Sequence, residues 1–239
     1  MAKKRLNQFT GRLDASQIAA GMNAAMTNAQ RLTDSATALL EKGDYPLAGS
    51  VASLAIEEAG KPSILRELAV ARTQEEITKC WKAFRSHTKK NVTWILPQLV
   101  ADGARRLDDF RPLFDDDAEH PHLLDQVKQL GFYTDCLGSG HWSTPIDVID
   151  KGLASSLVAI ARVMSRNKLF SEAEIELWIK HIGPVWRGRK ELMEHALVQW
   201  FKEMQRAGLA EPGANAMEEF IVEGFSPQTS EPNENEPRA

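Results

Sequence analysis

Cysteine and tyrosine are scarce in this 239-residue chain, two of each, and no long uncharged apolar run occurs. Cys80 and Cys136 lie far apart within helical patterns, which excludes a disulfide framework and a zinc-ligand pattern and predicts two reduced core thiols. Without an apolar stretch of about twenty residues, no membrane-spanning helix is expected. The start, Met1-Ala-Lys-Lys-Arg-Leu6, is basic but runs into Asn7-Gln-Phe-Thr10 rather than an apolar segment, so no secretory signal is read and a cytoplasmic protein is expected. The net charge of −4 offers no global attraction to nucleic acid, so RNA binding would need a local basic patch such as Arg85 to Lys90. Glycine-rich phosphate loops, nucleophile elbows and internal repeats are also missing, as are strands with period-two alternation. A nucleotide-driven enzyme and a bound cofactor are therefore not expected.

What is present is the balance of a folded domain: 43% hydrophobic and 26% charged residues, enough to bury an ordinary apolar core. Asp14 to Lys42 has no proline and is rich in Ala, Leu, Met and Gln, which predicts a long helix stopped by Gly43-Asp44. Asp44 caps a second helix with Pro46 in its first turn, running towards Ala71 and packing antiparallel on the first. Thr73-Gln-Glu-Glu76 is a capping box for a third helix through Ile77, Cys80, Trp81 and Phe84, extending to Asn91 or beyond. Residues 102–121 read as an exposed connection that adds little to the core. A fourth helix follows from Pro121 to Leu137, then a loop from Gly138 to Pro145, then a fifth helix to about Arg166. Ser171-Glu-Ala-Glu174 is a second capping box, and further helix reaches Gly208.

The predicted fold class is all-α, a bundle of four to five core helices with additional C-terminal helices. Residues 1–13 form an extension, 14–208 the helical domain, 209–226 a short helical appendage and 227–239 a Pro, Glu, Asn and Ser tail expected to be disordered.

Polar groups interrupt the apolar faces. With Leu47 at zero and about 100° per residue, Val51, Leu54 and Leu65 mark a core-facing stripe on which Glu58 and Lys61 also fall. A carboxylate buried without a partner costs several kcal/mol, so Glu58 is paired, neutral, or open to a water-filled cleft. Lys61 is within reach of both Glu57 and Glu58. Gly60 and Pro62 loosen the same turn and predict a kink. On the third helix the face of Ile77, Trp81 and Phe84 continues into Thr88 and Asn91, flanked by Arg85, His87 and Lys90. A structural ion-pair network and a functional site both fit this pattern.

Three segments, Ala55-Ile-Glu57-Glu58-Ala-Gly60-Lys61, Phe84-Arg85-Ser-His87-Thr-Lys-Lys90 and Phe132-Tyr133-Thr-Asp135, occur in that order on helices. Together they resemble the AbiV family of phage abortive infection proteins, over about residues 25 to 165. The resemblance implies a HEPN-like helical bundle that commonly dimerises, in a bacterial cytosolic protein that stops infected cells from producing phage. Many HEPN proteins are metal-independent ribonucleases whose Arg and His, four to six residues apart, meet across a dimer. The literal match here is Arg189-Lys-Glu-Leu-Met-Glu-His195, a spacing expected about once by chance and outside the best-matched region. Arg85-Ser-His87 is too short a spacer.

His87, Arg85, Glu58 and Lys61 are accordingly the candidate catalytic residues, with Arg189 and His195 as a weaker alternative pair. Glu57, Lys90, Asn91, Tyr133 and Asp135 are candidate binding groups, the last two by resemblance alone. Cutting RNA requires a base for the ribose 2′-hydroxyl, positive charge beside the phosphorane and an acid for the leaving oxygen; His87 is the candidate acid or base. Glu57 or Glu58 would orient or tune the cations. The one stretch with metal-ligand character, Asp115 to His122, holds a single Glu119-x-x-His122 broken by Pro121, whereas a di-iron bundle needs two on facing helices, so no metal is predicted. Trp178, Trp186 and Trp200 read as core or subunit-interface anchors. Two functions compete: an abortive-infection effector acting on RNA or translation, and a non-catalytic helical module that binds a phage or host protein. A homodimer and a phage-encoded activator are expected partners.

Overall fold

The computed structural model describes residues 7–224 apart from positions 114, 116 and 167. Helix α1 (Ala15–Glu41) opens on a full capping box, Asp14 accepting from the Gln17 N–H at 2.8 Å while the Gln17 side chain accepts from the Asp14 N–H. It stops where Gly43 takes φ 80°, a left-handed turn that a β-carbon would disfavour. Helix α2 (Tyr45–Val70) starts at once, with Asp44 accepting from the Leu47 N–H at 3.3 Å. Gly21 near the start of α1 faces Leu65 near the end of α2, the antiparallel packing that the short turn dictates.

Helix α2 is the axis of the molecule. It touches α1, α3 (Gln74–Arg85), α4 (His87–Lys90), α6 (His120–Phe132), α7 (Pro145–Val148), α8 (Lys151–Met164) and α9 (Glu172–Ile182), and buries residues on nearly every side. Helix α5 (Leu96–Ala101) and a 3-10 turn over Leu107–Leu113 lead to α6 (His120–Phe132). A short antiparallel hairpin follows, β1 (Asp135–Leu137) and β2 (His141–Ser143), with Cys136 opposite Trp142. Then come α7 (Pro145–Val148), α8 (Lys151–Met164), α9 (Glu172–Ile182), a 3-10 turn (Gly183–Val185), α10 (Lys190–Arg206) and α11 (Ala216–Val222).

The fold is all-α apart from that hairpin, and no helix among the described residues is long and apolar enough to cross a membrane. One core joins α1, α2, α3 and α9 through Ile18, Met22, Leu65, Ile77 and Ile175. A second joins α1, α2, α6 and α8 through Ala36, Ile56, Leu124 and Leu157. A third packs α9 against α10, with Trp178 and Trp200 edge to face at 5.3 Å. Each fully enclosed Ile or Leu contributes about 2 kcal/mol.

Several expectations need correction. The third helix breaks at Ser86, whose extended backbone separates α3 from α4. The fourth helix ends at Phe132, and the segment expected to be its last turn and a loop is the hairpin. Cys136 is consequently exposed rather than a core thiol, while Cys80 is buried and burial raises its thiol pKa to about 11. The connection 102–121 does enter the core, burying Phe110 and Leu113. At the second capping box only half forms: Ser171 accepts from the Glu174 N–H, but the Glu174 carboxylate turns to Arg66 at 2.6 Å. The predicted disordered tail lies outside the described residues.

Candidate functional site

Two glycines bring three helices together. A β-carbon on Gly60 would lie 2.0 Å from the Lys90 carbonyl oxygen, so α4 can settle on α2 only where that side chain is missing. A β-carbon on Gly131 would lie 2.2 Å from the Ser50 hydroxyl and 3.2 Å from the Pro46 carbonyl oxygen, so α6 also packs tightly on α2, and that hydroxyl donates to the Lys128 carbonyl at 3.3 Å. Ionisable side chains of α4 and α6 thereby reach one carboxylate on α2.

That carboxylate is Glu57, only 3% exposed. Its Oε1 accepts from the Lys128 ammonium at 2.6 Å, and its Oε2 meets His87 Nδ1 at 2.7 Å and the Lys90 ammonium at 3.1 Å. Lys128 is also held by Asp125 at 2.6 Å. Lys90 and Lys128 are both buried, whereas the His87 side chain remains 54% exposed. The result is a charged cluster sealed at its base and open at the imidazole.

Burial by itself pushes the Glu57 pKa up, but hydrogen bonds from Lys128 and His87 and the charges of Lys90 and Lys128 outweigh it and hold the carboxyl below its ordinary value. Burial likewise works against the Lys128 ammonium, and its bonds to Asp125 and Glu57 reverse the sign, keeping it charged with a raised pKa.

Glu58 and Lys61 do not join this cluster. They form their own half-buried pair at 2.5 Å, with the Lys61 ammonium over the Phe84 ring at 5.0 Å. Arg85 turns the other way, donating to the Phe9 carbonyl at 2.5 Å and lying over the Trp81 ring at 5.1 Å, where it ties down the N-terminal segment. Asn91 is fully buried, and its amide donates to the Pro121 carbonyl at 3.3 Å, fastening the end of α4 to the start of α6. Tyr133 is exposed and packs on Phe132, and the Asp135 carboxylate accepts from its neighbour's N–H; neither bonds the cluster among the described residues. Arg189 and His195 are both exposed at the start of α10, roughly 120° apart around the helix axis, so one chain does not converge them.

Lys128 and Asp125 escaped the sequence reading, although a signal existed. Lys128 sits four residues after Leu124 and three before Gly131, on the stripe that α6 buries. Glu57, His87 and Asp125 each present a ligand atom within 4.8 Å of the others, a spacing compatible with a metal ion. The Lys128 ammonium bonds both carboxylates of that trio, so a cation there would have to displace it. Chemically, the arrangement suits proton transfer by an imidazole whose inner nitrogen is held by an ionised carboxylate.

Neither a curated protein nor a solved structure matches the chain. A family model described as AbiV, of the HEPN class, matches residues 17–166, well over half of the sequence, a span that runs from within α1 to the end of α8 and contains every residue of the cluster. The chain belongs to the AbiV family of HEPN proteins.

Proposed function

We propose that this protein is an abortive-infection effector that acts on RNA, with His87 as its proton-transfer group and Glu57 as the carboxylate that holds it. The observation that carries this reading is the contact of His87 Nδ1 with the buried Glu57 at 2.7 Å while half of the imidazole stays open to solvent. A buried carboxylate that fixes one ring nitrogen leaves the other to exchange protons with a substrate.

In the reaction that follows, His87 Nε2 takes the proton of a ribose 2′-hydroxyl. The 2′-oxygen bonds to phosphorus and the bond to the 5′-oxygen breaks. That oxygen takes a proton from solvent water as it leaves, giving a 2′,3′-cyclic phosphate and a 5′-hydroxyl, and the His87 imidazolium returns its proton to the hydroxide so formed. The charges of Lys90 and Lys128 are balanced by Glu57 and Asp125, so the imidazolium formed in the first step gives the cluster its net positive charge as the phosphorane develops. Expression of wild type beside His87→Ala and Glu57→Gln, scoring phage plating and RNA integrity together, tests the reading. Full protection and unchanged RNA cleavage by His87→Ala contradict it.

A second reading rests on a different observation. Tyr133, Trp142 and Ile146 are exposed large apolar side chains, and Ile146 borders a groove of about 730 Å³ between the start of α2, the end of α6 and the start of α8. A protein-binding module would use that face and keep the Glu57 cluster as a structural network. Under this reading Trp142→Ala removes phage protection and His87→Ala does not.

A further inference from the structure

We infer that Lys128 is a positioning residue for His87, fixing the Glu57 carboxylate so that it takes its hydrogen bond from Nδ1–H and leaves Nε2 as the free acceptor of the imidazole. This rests on the reading of His87 as the proton-transfer group, and it assigns a role to a side chain on a third helix that the family motif segments do not include.

Glu57 has two oxygens and three nitrogen partners. Lys128 alone occupies Oε1, at 2.6 Å, and is itself fixed by Asp125 at 2.6 Å and by the close packing of α6 on α2. With one oxygen claimed from that side, the carboxylate plane cannot turn freely, and Oε2 is held toward α4, where His87 and Lys90 both meet it. Lys90 contributes charge there at 3.1 Å, the longest of the three contacts. A carboxylate kept ionised accepts and cannot donate, so the ring nitrogen facing it must carry the hydrogen. A neutral imidazole has one N–H, and placing it on Nδ1 empties Nε2. Removing Lys128 frees the carboxylate to rotate toward Lys90, and the constraint on the tautomer goes with it.

The test is nitrogen NMR of the full chain carrying labelled histidine, recording the Nδ1–H to Nε2–H tautomer ratio of His87 at neutral pH. Wild type and Lys128→Arg, which keeps charge and donors, should hold the Nδ1–H form. Lys128→Met should raise the Nε2–H fraction several-fold. Asp125→Asn, a milder change at a partly exposed group that loosens Lys128, should move the ratio in the same direction and serves if Lys128→Met does not fold. An unchanged ratio in the folded variants overturns the inference. The outcome is separable from the RNA reading: a tautomer shift in a protein that cleaves no RNA leaves the positioning role standing, whereas cleavage that needs His87 but an unmoved ratio in Lys128→Met does the reverse.

Discussion

The carbonyl oxygen of Lys90 sits directly over Gly60, occupying the place where any other residue would put its β-carbon, 2.0 Å away. The glycine of the Glu-Glu-x-Gly-Lys segment is thus what lets α4 lie against α2 and brings His87 and Lys90 to Glu57. Within a helix, Gly→Ala ordinarily stabilises by about 1 kcal/mol. Here the clash is with backbone, which cannot swing aside as a flexible side chain would, so Gly60→Ala should instead destabilise by about 1 to 3 kcal/mol. The check is urea unfolding, with the His87 tautomer as a second readout, and a gain in stability would contradict the account.

Glu57 and Lys128 should set opposite edges of the pH–stability profile. The folded Glu57 carboxyl lies below its ordinary value of 4.5, so its contribution is complete above pH 4.5 and is lost as pH falls through the folded value. Lys128 lies above its ordinary 10.5, so its contribution is present below pH 10.5 and is lost as pH rises through the folded value. Glu57→Gln should flatten the acid limb of urea midpoints measured from pH 2 to 7. At neutral pH, Glu57→Ala leaves two buried ammonium groups short of a partner and should cost about 3 to 5 kcal/mol. An acid limb unchanged in Glu57→Gln would mean that another carboxylate controls it.

Arg66 supports a separate part of the molecule. Its guanidinium pairs with Glu174 at 2.6 Å and lies 5.2 to 5.6 Å from the ring centres of Phe170, Trp178 and Trp200. Burial lowers its pKa and the Glu174 charge works against that shift. Arg66→Ala should cost about 2 to 3 kcal/mol, discounted because the side chain is about a quarter exposed, and should leave the His87 tautomer untouched. Thermal unfolding and the NMR ratio measured on one sample distinguish this from a global disturbance.

The sequence showed the long helices well, because caps act locally: Asp44 and Thr73 both cap as their spacing predicts. The hairpin was hidden because its strands are three residues long and mostly exposed, leaving no alternation to read, although Gly138 and Gly140 mark the turn with positive φ. The sequence marked the region of the cluster but grouped Glu58 and Lys61 with His87, whereas in the structure those two pair with each other and His87 meets Glu57. A wheel drawn from Leu47 assumes one buried stripe, and α2 is enclosed on nearly all sides, so the sealed carboxylate is Glu57 while Glu58 reaches the half-buried pair with Lys61. Lys128 could be noticed as a charge on an apolar stripe, but its partner lies 71 positions away and no periodicity links them.

The most direct measurement is an end-group assay on RNA incubated with purified wild-type protein and with His87→Ala. The account predicts 2′,3′-cyclic phosphate ends from wild type and a fall of roughly 100-fold or more on loss of the imidazole, the scale of general acid–base catalysis. Equal cleavage by the two proteins, or no cyclic phosphate ends from a wild-type protein that protects against phage, would contradict it.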